Sequence, residues 1–258
     1  MDDLVEDYTY KPPPLFHGDG PLFLGMELEV ETDSGQRREC AELATDCLGD
    51  LGYLKRDESL QHGFEVVTHP MSYPWALTGF PWQMLTDLHK VGCRTSTRTG
   101  LHVHVSRSGF GTPQPTVEHT RADRCLHIYR WMKFIHRNAA AVTTLAGRSS
   151  PEWAAFTSEE RRAVKHYAKG RLGWNRHQAI NTGNNDTLEL RVFASSLDPD
   201  VVRAALAFTA ASVDYTRTLS TQQVLHGAWR WAAFIAWLAQ HPAYTPLTRR
   251  LEDLSCAC

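Results

Sequence analysis

Three short stretches of the sequence repeat polar residues two positions apart within an apolar strand pattern. They read GMELEVE at 25–31, GLHVHV at 100–105 and LELRVF at 188–193. Because side chains two residues apart on a strand point to the same face of a sheet, each stretch predicts charged or imidazole groups on one face and Met, Leu or Val on the other. A sheet face of this kind predicts an active site.

The residue types on that face indicate metal and phosphate chemistry. Carboxylates beside imidazoles are costly to bury unless a cation neutralises them, and a divalent metal is the simplest cation that uses both ligand types. Carboxylate oxygens favour Mg²⁺ or Mn²⁺, and magnesium usually completes its shell with water and nucleotide phosphates. Arg191, two residues after Glu189, adds a guanidinium suited to phosphate or carboxylate. We infer a site for a metal ion and a phosphate group.

Each acidic residue also has a purely structural interpretation. Glu27 and Glu29 could belong to a solvated strand face, as is common in antiparallel sheets. Glu65 directly precedes the apolar pair Val66 and Val67, which is typical of a carboxylate within a sheet. It could instead be a charged residue on an edge strand. Glu189 and Arg191 could form a cross-strand ion pair of little energetic value.

The histidine pair and three other polar residues likewise allow more than one interpretation. His102 and His104 form the strongest pair, since one can coordinate a metal while the other hydrogen-bonds a phosphate oxygen. The same spacing occurs in zinc hydrolases, so the pair alone does not decide the reaction. Arg98 and Arg176 could contact phosphate or be surface charges, and Asn181 could bind substrate or order a turn.

Composition limits the classes of partner and compartment. The chain has 258 residues, 42% of them hydrophobic, and a net charge of −2, which predicts a domain with a real core and no basic footprint for nucleic acid. The acidic N-terminus lacks the features of a signal peptide, so we expect a cytoplasmic protein. The longest apolar stretch, 224–239, is too short and too interrupted for a membrane span. The 6 cysteines lack paired CxxC spacings, and the role of Cys256 and Cys258 stays open.

The order of elements predicts an α+β fold. We expect an extended N-terminal arm at 1–20, a single catalytic domain at 21–245 and a C-terminal tail at 246–258. The expected strands are 22–31, 53–57, 63–68, 100–105, 179–181 and 187–193. The expected helices are 38–51, a segment after Pro81, 121–145, 158–167, 199–219 and 221–240. Neighbouring hairpins favour an antiparallel sheet with helices on its outer face and ligand on its inner face.

Four motifs in this order resemble the amidoligase family, distant relatives of glutamine synthetase and glutamate-cysteine ligase that form amide bonds with ATP. The motifs are GMELE at 25–29, DESL at 57–60 followed by GFEVVT at 63–68, GLHVHVS at 100–106, and AIN at 179–181 leading to TLELRVF at 187–193. The resemblance implies a curved antiparallel sheet of the glutamine synthetase type, whose concave face holds the nucleotide.

The resemblance also implies roles for individual residues. The metal ligands around Mg-ATP would be Glu27, Glu29, Glu65, His102 and Glu189, with Asp57 as a further acidic ligand. The groups that contact phosphate would be His104, Arg176 and Arg191, and from their positions in the sequence we add Arg98 and Asn181 as candidate ATP contacts. Glu189, Arg176 and Arg191 would serve catalysis directly. Asp57 matches the acidic position of the family's Asp-Gly-Ser-Leu turn, but Glu58 replaces its glycine, so either acid could face the site.

The reaction implied is attack of a substrate carboxylate on the γ-phosphate, followed by attack of an amine on the acyl phosphate. Such chemistry needs positioning and charge neutralisation rather than a protein nucleophile. The cofactors would be ATP and Mg²⁺, with Mn²⁺ possible, and the substrates a small-molecule or peptide carboxylate and an amine. The identities of both substrates and the oligomeric state stay open.

Three other functions fit the same residues. A zinc hydrolase would use His102, His104 and a carboxylate to activate water, without ATP. A degenerate domain could bind a peptide in its groove without catalysis. A phosphotransferase could modify a guanidino or carboxylate group without the amine step.

Overall fold

Seven strands form one sheet within residues 4–112, 121–171 and 177–256, which are the residues that this computed structural model describes. The strands are β1 Val5–Glu6, β2 Leu24–Glu31, β3 Gly52–Lys55, β4 Gly63–Thr68, β5 Gly100–Ser106, β6 Ile180–Asn181 and β7 Thr187–Ala194. Their order across the sheet is β1-β3-β4-β2-β5-β7-β6. The strands that carry the polar repeats, β2, β5 and β7, therefore lie side by side.

The sheet is mixed rather than wholly antiparallel. Every neighbouring pair from β3 to β6 runs antiparallel, including the expected hairpins β3–β4 and β6–β7. At one edge, however, β1 pairs with β3 in parallel. The expectation of an antiparallel sheet is wrong there, because the chain passes through β2 and a helix before β3 forms beside β1, a connection long enough for a parallel crossover.

Strand β2 shows why one face of the sheet is core and the other is polar. Leu24, Met26, Leu28 and Val30 alternate along it and are each at most 2% exposed. These residues join a hydrophobic core with side chains of the helices. The intervening residues of the strand point to the opposite face, which carries the carboxylates.

Strand β7 contains an irregularity next to the histidine pair. Leu101 of β5 pairs with Phe193, whereas Val103 pairs with Leu190, so three steps on β7 match two on β5. Such a β-bulge places one extra residue between two paired positions. Leu190 and Phe193 are therefore both buried although they are three residues apart.

Ten helices are assigned within the described residues. They are α1 Arg37–Leu48, α2 Tyr73–Gly79, α3 Gln83–Lys90, α4 Arg121–Arg137, α5 Ala139–Ala146, α6 Ser158–Ala168, α7 Pro199–Arg217, α8 Thr221–Leu225, α9 Trp231–Leu238 and α10 Thr245–Cys256. Helix α7 packs against β5, α5 against β7 and α1 against β3. Trp131, Phe134 and Phe208, all 0% exposed, lie in the core that these helices share with the sheet.

Four helical segments differ from the sequence expectation. The segment 121–145 is divided at Asn138, whose side-chain amide donates to the carbonyls of Phe134 and Trp229. The segment 221–240 is divided around Gly227, which has φ +95°. Helix α2 was not expected because it contains a proline, yet that residue stands in the first turn, where proline is tolerated. Of the segment expected as a tail, residues 246–256 lie in α10, with Leu247 fully buried.

The N-terminal arm is attached to the sheet at several points. Apart from β1, its described residues are irregular, as expected from its prolines. The Tyr10 and Tyr53 rings meet edge to face at 5.2 Å, and Phe16 meets Phe23 at 4.9 Å. The amide of His17 donates to a carbonyl beyond the end of β4 at 2.9 Å. The domain boundaries proposed from the sequence stay a prediction.

None of the helices in the described residues combines the length and the apolar character required to cross a lipid bilayer.

Candidate active site on the polar face of the sheet

One large cavity covers the polar face of the sheet. It has a volume of about 1630 Å³ and is lined by residues of β2, β4, β5 and β7, by the arm, and by the start of α4. Pockets for a single small ligand are usually about 300–1,000 Å³. The cavity therefore has room for more than one substrate.

The strand register brings the polar repeats together. Glu27 pairs with His102 across β2 and β5, and Glu29 pairs with Glu65 across β2 and β4. His104 of β5 pairs with Glu189 of β7, and Asn181 of β6 pairs with Glu189 on its other side. Residues far apart in the sequence thus lie in adjacent positions on one face.

Their side chains form three overlapping groups, in each of which one ligand atom per residue lies within 4.8 Å of the others. The groups are Glu27 with Glu65 and His102, Glu27 with His104 and Glu189, and Glu29 with Asp57 and Glu65. Because Glu27 and Glu65 each belong to two groups, the cluster is continuous across β4, β2, β5 and β7.

The two imidazoles lie between the carboxylates. His102 Nδ1 is 3.6 Å from Glu27 Oε2 and 3.5 Å from Glu189 Oε1, while its Nε2 is 3.6 Å from Glu29 Oε1. His104 Nε2 is 3.2 Å from Glu27 Oε1. Each imidazole therefore has at least one carboxylate oxygen within 3.6 Å of a ring nitrogen.

The carboxyl groups of β2 and β4 repel one another. Burial, followed by the charge of Glu27, raises the pKa of Glu65 to about 9, with smaller contributions from Asp57 and Glu29 and an opposing one from Lys55. Burial also raises the pKa of Glu29, although the amide of Gly100 donates to its Oε2 at 2.6 Å. Unless an additional cation binds, the carboxyl groups of Glu65 and Glu29 therefore favour their protonated forms.

The carboxyl groups nearest the histidines behave in the opposite way. Burial would raise the pKa of Glu27, but His104 and His102 outweigh it and hold that pKa well below its usual range. Burial likewise opposes ionisation of Glu189, and the charge of His104 lowers its pKa. Burial disfavours the charged form of His104, but Glu27 raises its pKa.

The donor set fits a hard divalent cation. Glu65 Oε2 and His102 Nδ1 are buried, and neither makes a hydrogen bond within the described residues. Both belong to the group that contains Glu27, which adds a further carboxylate. Buried polar atoms normally have a partner, and oxygen-rich sites favour Mg²⁺ or Mn²⁺ over zinc. These residues could hold such an ion.

Positive and amide groups surround the acidic cluster on the β7 side. The Arg191 guanidinium contacts Glu189 Oε1, and the Asn181 amide donates to Glu189 Oε2 at 2.7 Å. Arg148 donates to the carbonyls of Thr99 and Arg191 at 3.0 Å each. A side chain at Gly100 would collide with Arg148, since its Cβ would lie 2.5 Å from Nη2.

The structure places most of the residues that the sequence suggested at this cavity. Glu27, Glu29, Glu65, His102, His104, Asn181, Glu189 and Arg191 line it. Asp57 and Glu58 line it as well, but only Asp57 joins an acidic group, with Glu29 and Glu65, whereas Glu58 is exposed. Arg98 lines the cavity and donates to the Ser59 carbonyl at 3.2 Å. Arg176 lies outside the described residues. The roles assigned to all of these residues stay predictions.

Sequence reasoning missed several cations of the cavity, among them Lys55 and Arg148, which contact the acidic cluster and the strands that carry it. Lys55 Nζ lies 3.5 Å from Glu65 Oε2, and its position on β3 two residues before Asp57 could have indicated it. Arg148 follows the end of α5, and no local pattern links it to the strands. Its place in the site depends on the packing of α5 against β7.

Comparison with known proteins found similarity to solved structures but to no curated sequence or family model. A scan against models of protein families and a search of curated proteins both found no match. Among solved structures, the chain is similar to one described as a GmaS/ADP complex, with 13% sequence identity and a TM-score of 0.44 over 90% of this chain and 67% of that chain. The function proposed below rests on the site itself.

Proposed function

We propose that this protein is an ATP- and Mg²⁺-dependent carboxylate–amine ligase that forms an amide bond through an acyl phosphate. The observation that carries the proposal is the convergence of carboxylates and imidazoles from four adjacent strands on one cavity, beside the Arg191 guanidinium. The order of the four sequence motifs that resemble amidoligases supports the same reaction.

The chain's residues would hold the metal through Glu27, Glu65 and His102, with Glu29, Asp57 and Glu189 adjacent. A divalent ion bound there supplies positive charge that neutralises phosphate oxygens during phosphoryl transfer. The fixed strands hold these ligands in position before substrate binds, so little reorganisation is needed during the reaction.

The proposed reaction has two steps. A carboxylate oxygen of the first substrate attacks the γ-phosphorus of ATP, the bond from that phosphorus to the bridging oxygen breaks, and ADP leaves. The nitrogen of the amine then attacks the acyl carbon, loses one proton, and displaces inorganic phosphate as the C–N bond forms. Both substrates would be small molecules or peptides.

The cationic residues would orient the phosphates. Arg191 is held by Glu189 and can present its remaining N–H groups to an anion in the cavity. Asn181 fixes the other Glu189 oxygen and so keeps the carboxylate from rotating. His104 contacts Thr187 Oγ1 through Nδ1 at 3.1 Å, which fixes its ring beside the phosphate position. Arg98 and Arg176 are proposed as further ATP contacts.

Titration calorimetry of ATP into the metal-stripped protein, with and without Mg²⁺, tests the proposal. We expect binding that requires Mg²⁺ and is weakened at least tenfold in Glu189→Gln and in His102→Ala. Glu31→Gln is the matched control, because Glu31 belongs to the same acidic repeat but does not line the cavity in the described residues. Its affinity should equal that of the wild type.

Other outcomes identify the competing functions. Tight retention of zinc with no ATP binding would support the hydrolase instead. If ATP binds, pairs of carboxylates and amines are screened for ADP release. ADP release that needs a carboxylate but gives no amide would indicate phosphotransfer alone.

A further inference from the structure

The cavity has two halves of different chemical character. The arm half is bordered by Tyr8, Tyr10, Phe16, Phe23 and Tyr53. The cationic half is bordered by Arg121, Arg124, Arg148, Lys169 and Arg191. The acidic cluster spans β4, β2, β5 and β7, so most of it lies between β3 and the β6–β7 edge in the strand order.

The strand order fixes where each half lies. Tyr53 belongs to β3, and Tyr10 packs on it, so these two rings lie at the β1–β3 edge, whereas Phe16 packs on Phe23 directly before β2. Arg191 belongs to β7, and Arg148 donates to its carbonyl. Arg121 donates to the Lys169 carbonyl at 3.5 Å, directly after α6. Helix α6 is in turn joined to β6 by a buried hydrogen bond, so the cationic half is at the β6–β7 edge.

Exposed aromatic rings are concentrated in the arm half. Tyr8 and Tyr10 are each 39% exposed and Phe16 is 59% exposed, although all three line a concave surface. Tyr10 meets Tyr53 at 5.2 Å, and Tyr53 meets His69 at 5.9 Å, which holds the arm rings at the cavity edge. Apolar rings exposed in a cavity indicate a ligand with apolar surface to cover them.

The cationic half suits the whole nucleotide. Its guanidinium and ammonium groups match the charge of a triphosphate. It also has an aromatic ring of its own, because Trp153 is 45% exposed and its carbonyl accepts from Arg191 Nε at 3.5 Å. The base and the phosphates can thus both bind there, on one side of the acidic cluster.

We propose that the arm half is a subsite for an aromatic or large apolar side chain of the carboxylate or amine substrate. The inference rests on the proposed ligase function and names the substrate class of that site. The arm residues would determine specificity by packing on this side chain, while the reacting group reaches the acidic cluster.

The test compares L-phenylalanine with glycine, which share their carboxylate and amine but differ in the side chain. Each is titrated calorimetrically into the full chain with Mg²⁺ and a non-hydrolysable ATP analogue. We expect L-phenylalanine to bind at least tenfold more tightly than glycine. Tyr10→Ala and, separately, Tyr8→Ala should reduce that preference by about fivefold or more, with the affinity for the ATP analogue retained.

Two control variants separate packing from folding. Tyr10→Phe keeps the ring and should keep the preference. Tyr129→Ala removes a tyrosine that does not line the cavity in the described residues, and it should also keep the preference. Circular dichroism melting of each variant establishes that it is folded before the titrations are compared.

Equal binding of the two amino acids, or binding of neither, would overturn the proposal. Loss of affinity for the ATP analogue in Tyr10→Ala would show that the base occupies the arm half, which also overturns it. If the analogue does not bind to the wild type, the ligase function fails. The titration of L-phenylalanine without nucleotide then tests, independently of the ligase function, whether the arm half binds an aromatic side chain.

Discussion

At the scale of single residues, the site combines groups that favour opposite protonation states. Glu65 is held toward its protonated form by burial and by its acidic neighbours, whereas Glu27 is held ionised by two imidazoles. A divalent ion between them would keep every carboxylate ionised. A bound metal would therefore stabilise the ionised carboxylates of this cluster more than those of a solvated strand face.

His127 provides a pH-dependent test of the core outside the site. The amide of Gly111 donates to its Nδ1 at 2.9 Å, and its Nε2 lies 2.9 Å from the Val213 carbonyl, which requires the neutral ring. Burial, followed by the charge of Arg217, lowers the pKa of His127 to about 3. The unfolded chain binds a proton near pH 6.5 while the folded protein does not, so stability falls as the pH falls from 6.5 towards 3.

We therefore expect the free energy of unfolding of the wild type to fall by about 2 kcal/mol more than that of His127→Gln between pH 8 and pH 5. Guanidinium denaturation at the two pH values measures the difference. His226→Gln replaces an exposed histidine and should follow the wild type. Equal pH dependence in His127→Gln and the wild type would contradict the expectation.

Sequence reasoning placed many of the polar side chains that line the cavity on one face, because the strand period determines which residues of a strand share a face. Glu27 and Glu29 are two apart, as are His102 and His104, and this spacing is readable without a structure. Arg148 was not readable, because it reaches the strands through the packing of a helix.

At the scale of elements, a buried acid joins α6 to the sheet. Glu160 Oε1 accepts from the amide of Ile180 in β6 at 3.1 Å and lies 3.5 Å from His136 Nε2 of α4. The side chains of His136 and Glu160 are 2% and 0% exposed. Since Asn181 follows Ile180 and donates to Glu189, this contact also positions the end of the site.

Glu160→Ala should lower the free energy of unfolding by about 3 kcal/mol, because it removes the acceptor of a buried amide and the carboxylate beside a buried imidazole. Hydrogen exchange at Ile180 should become faster. Glu159→Ala, in the same turn but exposed, should change neither quantity appreciably. Unchanged exchange at Ile180 in Glu160→Ala would show that β6 does not depend on this contact.

The hairpins were predicted well, whereas the helical connections were not. Residues of β3 and β4, and of β6 and β7, are close in sequence, so local alternation and turn residues define them. Asn138 divides a helix through contacts with a distant carbonyl at Trp229, which no local pattern contains. Helix α10 packs on α7, and its burial likewise depends on tertiary contacts.

At the scale of the whole molecule, ligand binding should stabilise the fold. The site uses strands that are far apart in the sequence, so an ion and a nucleotide bound there would connect β4, β2, β5 and β7. A ligand at 100 times its dissociation constant adds about 2.7 kcal/mol to the free energy of unfolding.

We expect Mg²⁺ and ATP together to raise the melting temperature by about 5 °C or more, and by more than the sum of either alone. Thermal denaturation followed by circular dichroism measures the shift. The same ligands should give little shift in Glu189→Gln. An equal shift with ATP and a chelator would contradict coupled binding of the metal and the nucleotide.

The cavity as a whole was not predictable from the sequence. The division into an arm half and a cationic half depends on the docking of the arm on β3 and of α6 on β6. Both are contacts between distant parts of the chain, whereas composition and periodicity report only local order.

The bulge in β7 has a consequence for comparing this chain with others. Against a chain whose corresponding strand lacks the bulge, a gapless alignment matched at Glu189 would place Phe193 at a polar-face position. One matched at Phe193 would place Glu189 at a core position. A search profile that requires fixed spacing through this strand would therefore match β7 on only one side of the bulge. A single permitted insertion between positions 190 and 193 would let it match both sides.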